Sequence, residues 1–231
     1  MVELRESGQI MTDMTRHRML NKVPEFKTIL YTWRERLPNK WDGLKDWDDI
    51  FCWRAEVFRT VADTFASIEQ SSLACLHDTP WTVIKLAHTA RKQGLHEVSL
   101  TSLSKLYTVA TMDVQDAFQK LREQIIICHK SPAEHRGGLN IINNTNLDYF
   151  NAKQKAELFR LKGLFLSSLG AKQDANHAYS HAMQIAGDFG KGWFSWAQYC
   201  DAIFAEQTKV HCAAQAMACY LQVRVPAWED G

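Results

Sequence analysis

The sequence predicts an all-α fold of antiparallel helical hairpins stacked side by side, and three observations carry that expectation. Glycine and proline are sparse, 11 and 5 in 231 residues, with no low-complexity tract, so few positions interrupt a helix. No stretch alternates apolar and polar residues between hairpin-turn signals, which argues against a sheet. The third observation is a repeat within residues 160–199. A helix bearing Gly163 breaks at Gly170, a second reads Ala175-x3-Tyr179-x2-Ala182, and a third opens on Trp193. Ala197 follows Gly163 by one period of about 34 residues, the length and grammar of a tetratricopeptide hairpin. Small residues let two antiparallel helices approach closely, and the aromatics fill the space towards the next pair. The expected architecture is therefore an α-solenoid of such hairpins.

Composition bounds the rest. With 46% hydrophobic and 23% charged residues the chain can bury a sizeable core. A net charge of +1 gives no electrostatic reason to expect direct contact with nucleic acid or an anionic membrane. No apolar run approaches the roughly 20 residues of a membrane span, and the N-terminal MVELRESGQI lacks an apolar signal core. The chain reads as soluble and intracellular. The six cysteines (Cys52, Cys75, Cys128, Cys200, Cys212, Cys219) show no CxxC pairing and suit a reduced compartment, where Asn143-Asn144-Thr145 is a chance sequon.

In chain order, residues 1–12 read as an irregular tail, residues 13–222 as stacked hairpins and residues 223–231 as a second irregular tail. The whole forms a single helical-repeat segment, part of a longer array. Pro24 and Glu25 suit a first helical turn, and Phe26, Ile29, Leu30 and Trp33 keep an apolar stripe until Leu37-Pro38 ends it. From Asp46 a long helix places Ile50, Trp53, Val57, Val61, Phe65 and Ile68 on one stripe, widened by Trp47 and Phe51. Thr79-Pro80 opens a helix that stops at Gly94, and its partner carries Leu100, Leu103, Leu106, Tyr107 and Ala110. A third helix begins at Asp113 and sets Val114, Ala117, Phe118, Leu121, Ile125 and Cys128 on one side. Ser131-Pro132-Ala133-Glu134 reads as a capping box for a short helix, and Asn151-x-x-Gln154 repeats the device ahead of the central hairpin. After Tyr199 come a helix through Ile203 and Phe204 and another from Ala213 to Tyr220.

Candidate chemistry is thin. His177 and His181 share a helix face, the geometry a metal site uses, but no HExxH glutamate accompanies them and a solvated face explains them. Cys212, Cys219 and the Cys128-His129 pair sit at helical spacings that core or surface packing accounts for. Asp188-Phe189-Gly190 spells the kinase magnesium tripeptide without its catalytic loop or strands, and Gly187 to Gly190 lacks a phosphate-loop context. Asp46, Asp48 and Asp49 complement a helix dipole. No catalytic residue, cofactor site or metal site is expected.

Two stretches are more specific than a generic repeat. Thr32-Trp33-Arg34-Glu35-Arg36-Leu37-Pro38, followed by Leu44-x-x-Trp47-x-Asp49-Ile50-Phe51-x-Trp53-Arg54, resembles the FAT region of the TRRAP family, giant pseudokinases of the phosphatidylinositol-3-kinase-related group. Gln93-Gly94-Leu95, Ser99-Leu100-x-Ser102-Leu103 and the run from Asp116 through Phe118 to Gln124 are similar to its next part. Thr145-Asn146-Leu147-x-Tyr149-Phe150 and Lys162-Gly163-x-Phe165-Leu166 continue in order, so that the resemblance covers about residues 28–220. It implies a FAT-type solenoid acting as a nuclear, non-enzymatic scaffold. Its partners would be protein subunits of SAGA and NuA4-type histone acetyltransferase complexes and the transcription activators that dock on them. Two other readings stay open. One is a free-standing peptide-binding module with a carboxylate clamp of Lys153, Lys155, Arg160 and Lys162. The other is the FAT region of an active kinase relative.

Overall fold

The computed structural model describes residues 2–19, 27–65, 79–109 and 112–223. Among the described residues the chain forms eleven α-helices and two short 3-10 turns, with no strand. This is all-α architecture of the solenoid class. The chain falls into two compact units, Met1–Met112 and Asp113–Gly231, and within the second unit consecutive helices pack as neighbours.

The first unit holds α1 (Val2–Met19), α2 (Lys27–Glu35), α3 (Leu44–Phe65), α4 (Thr79–Lys92) and α5 (His96–Ser104), then a 3-10 turn over Lys105–Thr108. The N-terminal residues correct the sequence reading, because 2–12 of the expected irregular tail are helical. Among the described side chains of α1 the buried apolar ones are Ile10 and Met14, one turn apart. They pack against Trp33, Val57, Val61 and Phe65, and that tertiary contact holds a helix whose own pattern is too polar to announce it. The stripe of α3 is also shifted. Its buried face is Trp47, Phe51, Arg54, Val57, Val61 and Phe65, whereas Ile50 is half-buried and Trp53 is 43% exposed. The phase was hidden because a buried arginine holds one inward position. The expected continuation of α5 through Leu106 and Tyr107 tightens into the 3-10 turn, with Leu106 buried and Tyr107 exposed. Pro24, Glu25, Phe26, Ile68, Cys75 and Ala110 lie outside the described residues.

The second unit holds α6 (Val114–Lys130), a 3-10 turn over Pro132–Glu134, α7 (His135–Asn144), α8 (Ala152–Ser168), α9 (Lys172–Ile185), α10 (Gly190–Gln207) and α11 (Val210–Gln222). Asp113 caps α6 by accepting the Gln115 amide at 2.7 Å. Asn151 and Gln154 form a complete capping box on α8, with reciprocal bonds of 2.9 and 3.0 Å. The box expected at Ser131 does not form. Pro132 to Glu134 coil as 3-10, the Ser131 side chain caps nothing, and α7 starts at His135. Helix α10 starts at Gly190, before Trp193, and runs unbroken through Ile203 and Phe204 where two helices were expected. Residues 224–231 of the expected C-terminal tail lie outside the described residues.

The hairpins α4–α5 and α8–α9 close with the same turn. Gly94 (φ +83°) and Gly170 (φ +79°) adopt the left-handed conformation, and the following amides reach back, Leu95 to the Ala90 carbonyl at 2.8 Å and Ala171 to that of Leu166 at 2.9 Å. These Schellman turns satisfy the orphan carbonyls of one helix while reversing the chain into the next.

Candidate protein-interaction surface

The repeat positions converge in the core between α8, α9 and α10. Ala175, Ala182 and Ala197 are each 0% exposed and Tyr179 1%, in one cluster that Trp193 flanks while half-buried. A Cβ added at Gly163 would lie 2.8 Å from the Tyr179 ring, so glycine is what lets α8 and α9 close on that aromatic. Tyr179 packs on Tyr199 with ring centroids 5.4 Å apart, and Tyr199 donates its hydroxyl to the Lys172 carbonyl. Trp193 stacks on Trp196 at 5.7 Å and donates its indole N–H to the Gly187 carbonyl at 2.8 Å, fixing the α9–α10 turn.

The motif residues of the first unit form a brace around the end of α2. Leu37-Pro38 stops that helix and leaves its last carbonyls without intrahelical partners. From α3, Arg54 supplies them, its Nη1 donating to the Trp33 carbonyl at 2.7 Å and its Nη2 to the Arg36 carbonyl at 2.6 Å. Its guanidinium also lies over the Trp33 ring at 5.3 Å, and the buried Trp33 indole donates to Glu6 of α1 at 2.8 Å. Arg34 lies over Trp81, on which Phe51 packs edge-on, as it does on Trp47. Trp53 donates to the Ser7 hydroxyl at 3.2 Å, while Ile50 is half-buried beside it on α3. In the second unit Phe118 is buried against Phe150 at 5.5 Å, whereas Tyr149 is 72% exposed. These aromatics and arginines position helices.

A buried ionic network joins α6, α8 and α10. Glu157 accepts from Arg160 at 2.5 and 2.8 Å and from Arg122 at 3.1 Å. Arg122 also pairs with buried Glu123, and Arg160 donates to Ser195 at 3.3 Å. Burial pushes the Glu157 carboxyl upward, but Arg160, Lys191 and Arg122 outweigh it and hold the group below the ordinary carboxylate range. Arg160 therefore belongs to the core and not to a surface clamp, a correction hydrophobicity patterns could not have supplied. Lys153 is likewise taken, paired with Asp188 at 2.9 Å.

The candidate chemistry does not assemble. His177 and His181 are exposed, the latter edge-on to Phe159 with centroids 4.3 Å apart, and no cluster of three metal-ligating side chains occurs among the described residues. Asp188-Phe189-Gly190 spans the α9–α10 turn, where Asp188 serves the Lys153 pair. Burial, with Cys219 and Cys212 nearby, pushes the Cys200 thiol up to about 12, so it stays protonated and unreactive near neutral pH. What remains on the outside is surface. Helix α8 shows Lys155, Phe159 and Lys162 along one partly exposed face, beside a cleft of about 100 Å³ reaching α7. Helix α11 shows Val210, Met217 and Leu221 at 78%, 67% and 81% exposure. No helix among the described residues is long and apolar enough to cross a membrane.

Helical hairpins packed in series define the class: an α-helical repeat protein. The profile of the FAT domain family matches residues 1–223, and the chain belongs to that family. It is 35% identical over 96% of its length to the SAGA complex/NuA4 acetyltransferase complex subunit TRA1 of Saccharomyces cerevisiae. It is 36% identical over 96% to the SAGA/NuA4 subunit of Schizosaccharomyces pombe, and 32% identical over 95% to the transformation/transcription domain-associated protein of Mus musculus. These relatives are far longer, and the match spans 6%, 7% and 9% of them respectively.

Proposed function

We propose that this chain is a non-enzymatic scaffold segment of a TRRAP-like transcription coactivator, acting through protein contacts in a SAGA- or NuA4-type histone acetyltransferase complex in the nucleus. The observation that carries the reading is the 35% identity over 96% of the chain to a subunit that bears both complex names. Its geometry is in keeping, since the titratable groups of the core serve packing: Glu157, Arg160 and Arg122 join three helices, and Arg54 caps a fourth. The readings with a free-standing carboxylate clamp lose two of four cations, Arg160 to the core and Lys153 to Asp188. The reading as part of an active kinase relative shares the fold and is separated by assay.

The test is affinity purification of the endogenous full-length product with an antibody against this segment, followed by mass spectrometry and a histone acetyltransferase assay on the eluate. Co-purified acetyltransferase subunits with activity are the expected result. An eluate that phosphorylates protein, or one holding only the 26.5 kDa chain with peptide partners, overturns the scaffold reading.

A further inference from the structure

We propose that Ser131, at the corner where α6 passes into α7, is a phosphorylation site for a proline-directed protein kinase, and that phosphate there clamps the corner through Lys130 and Arg136. Ser131 and the three residues after it are exposed, and its backbone is already extended, with φ −108° and ψ 115°. Its hydroxyl is uncommitted, because the capping box that the sequence announces does not form and the group makes no hydrogen bond among the described residues. Thr12, Thr32 and Thr60, by contrast, each donate to a carbonyl one turn back. Pro132 supplies the selectivity. Proline carries no amide donor, so a kinase pocket that offers no acceptor after the serine takes this pair and penalises one with an N–H there. In the transfer the Ser131 oxygen attacks the γ-phosphorus of ATP, the bond from that phosphorus to the bridging oxygen breaks and ADP leaves. The hydroxyl proton passes to the catalytic carboxylate of the kinase.

The corner suits the added charge. A phosphoserine carries about −1.5 to −2 near neutral pH. The charged side chains of residues 130–136 are Lys130, Glu134 and Arg136, all exposed, and neither cation is in an ion pair among the described residues. The Glu134 carboxylate lies beside Gly137, 3.4 Å from where a Cβ on that residue would stand. Helix α7 has no side-chain cap at its start, an end where negative charge is favourable. Behind the turn, the stacked rings of His129 and His135 lie edge-on to Phe165 and fix the corner on α8. Lys130 closes α6 and Arg136 stands in the first turn of α7, so a phosphate bonded to both ties the two helices across the 3-10 turn.

This inference does not rest on the scaffold reading. In its test the full 231-residue chain is incubated with a purified proline-directed kinase, ATP and magnesium. Mass spectrometry of tryptic peptides then locates the phosphate, since Thr79-Pro80 offers the same kind of pair. Phosphate at Ser131 is expected, at a rate within about tenfold of that for the free peptide of residues 125–137, and at least about tenfold slower in Pro132→Ala. Circular dichroism melts matching the parent establish that the variant is folded. Modification of the free peptide without the folded chain overturns the site, as does a Pro132→Ala chain modified at Ser131 as fast as the parent. The phosphorylated chain should melt about 1–4 °C above the unmodified one, and the gain should vanish in Lys130→Ala, Arg136→Ala. No gain, or a gain that survives loss of both cations, overturns the clamp. In the endogenous full-length product, purified with phosphatase inhibitors, the phosphorylated peptide is expected. Recovery of its unmodified form alone overturns the assignment, whichever acetyltransferase subunits co-purify.

Discussion

At the residue scale, two glycines of the second unit do different work, and substitution separates them. Gly163 gives space: an added Cβ would press on the Tyr179 ring from 2.8 Å, and burial holds the Tyr179 hydroxyl well above the ordinary phenol range. Gly163→Leu therefore overpacks the α8–α9 contact, and Tyr179→Ala leaves a cavity in the same place. Each should cost about 2–4 kcal/mol in urea denaturation, and near-neutral results at both would refute the repeat alignment. Gly170 gives conformation: nothing lies within 4 Å of its Cβ position, but its φ is +79°. Gly170→Ala should cost only about 1–2 kcal/mol, the left-handed penalty, and Gly94→Ala the same. A Gly170→Ala loss as large as that of Gly163→Leu would mean the turn is crowded after all.

At the scale of elements, the Glu157–Arg160–Arg122 network determines how α6, α8 and α10 stay in register, and it makes stability depend on pH. The Glu157 carboxyl is held below its ordinary value near 4.5, so the folded chain binds its proton less readily than the unfolded one. Its contribution is full above the unfolded value and is lost as pH falls through the folded one. Melting temperature should therefore drop on the acid side. Glu157→Gln should flatten that limb while costing about 3–5 kcal/mol near neutrality, because Arg160 is left buried without its charge partner. Glu157→Leu with Arg160→Met should recover much of the loss, and an acid limb unchanged in Glu157→Gln would remove the assignment. The same network marks the limit of what the sequence discloses. Local signals read through at the Asn151 capping box, the glycine stops and the helix start at Asp113, each involving neighbours in the chain, whereas the equally local box at Ser131 gave way to a 3-10 turn. Inward charges did not read through, because Arg54, Glu157 and Arg160 look polar and only their partners, up to 35 residues away, make burial favourable. The polar α1 was missed for the same reason, and the α7–α8 cleft needs two helices to exist before it can be seen.

At the scale of the whole molecule, the outer face of α11 is the feature that the described packing leaves open. Ala216 and Cys219 are buried on the α10 side, while Val210, Ala214, Met217 and Leu221 recur at helical spacing on the other and are exposed. In stacked hairpins each pair buries its apolar face on the next, and a face of this kind is covered by a further helix or remains a site of association. The relatives, of which the match spans less than a tenth, have chain enough to supply such a helix. Leu221→Glu with Met217→Glu should change the stability of this 231-residue chain by no more than about 0.5 kcal/mol each, since both side chains already face water. It should also lower self-association in analytical ultracentrifugation. In the full-length product the same pair should destabilise the segment by about 1.5–3 kcal/mol per side chain, the cost of placing charge where a leucine or methionine is buried by a neighbour. Equal tolerance in both settings would mean that no further helix packs on α11, and that its apolar face is available to another protein.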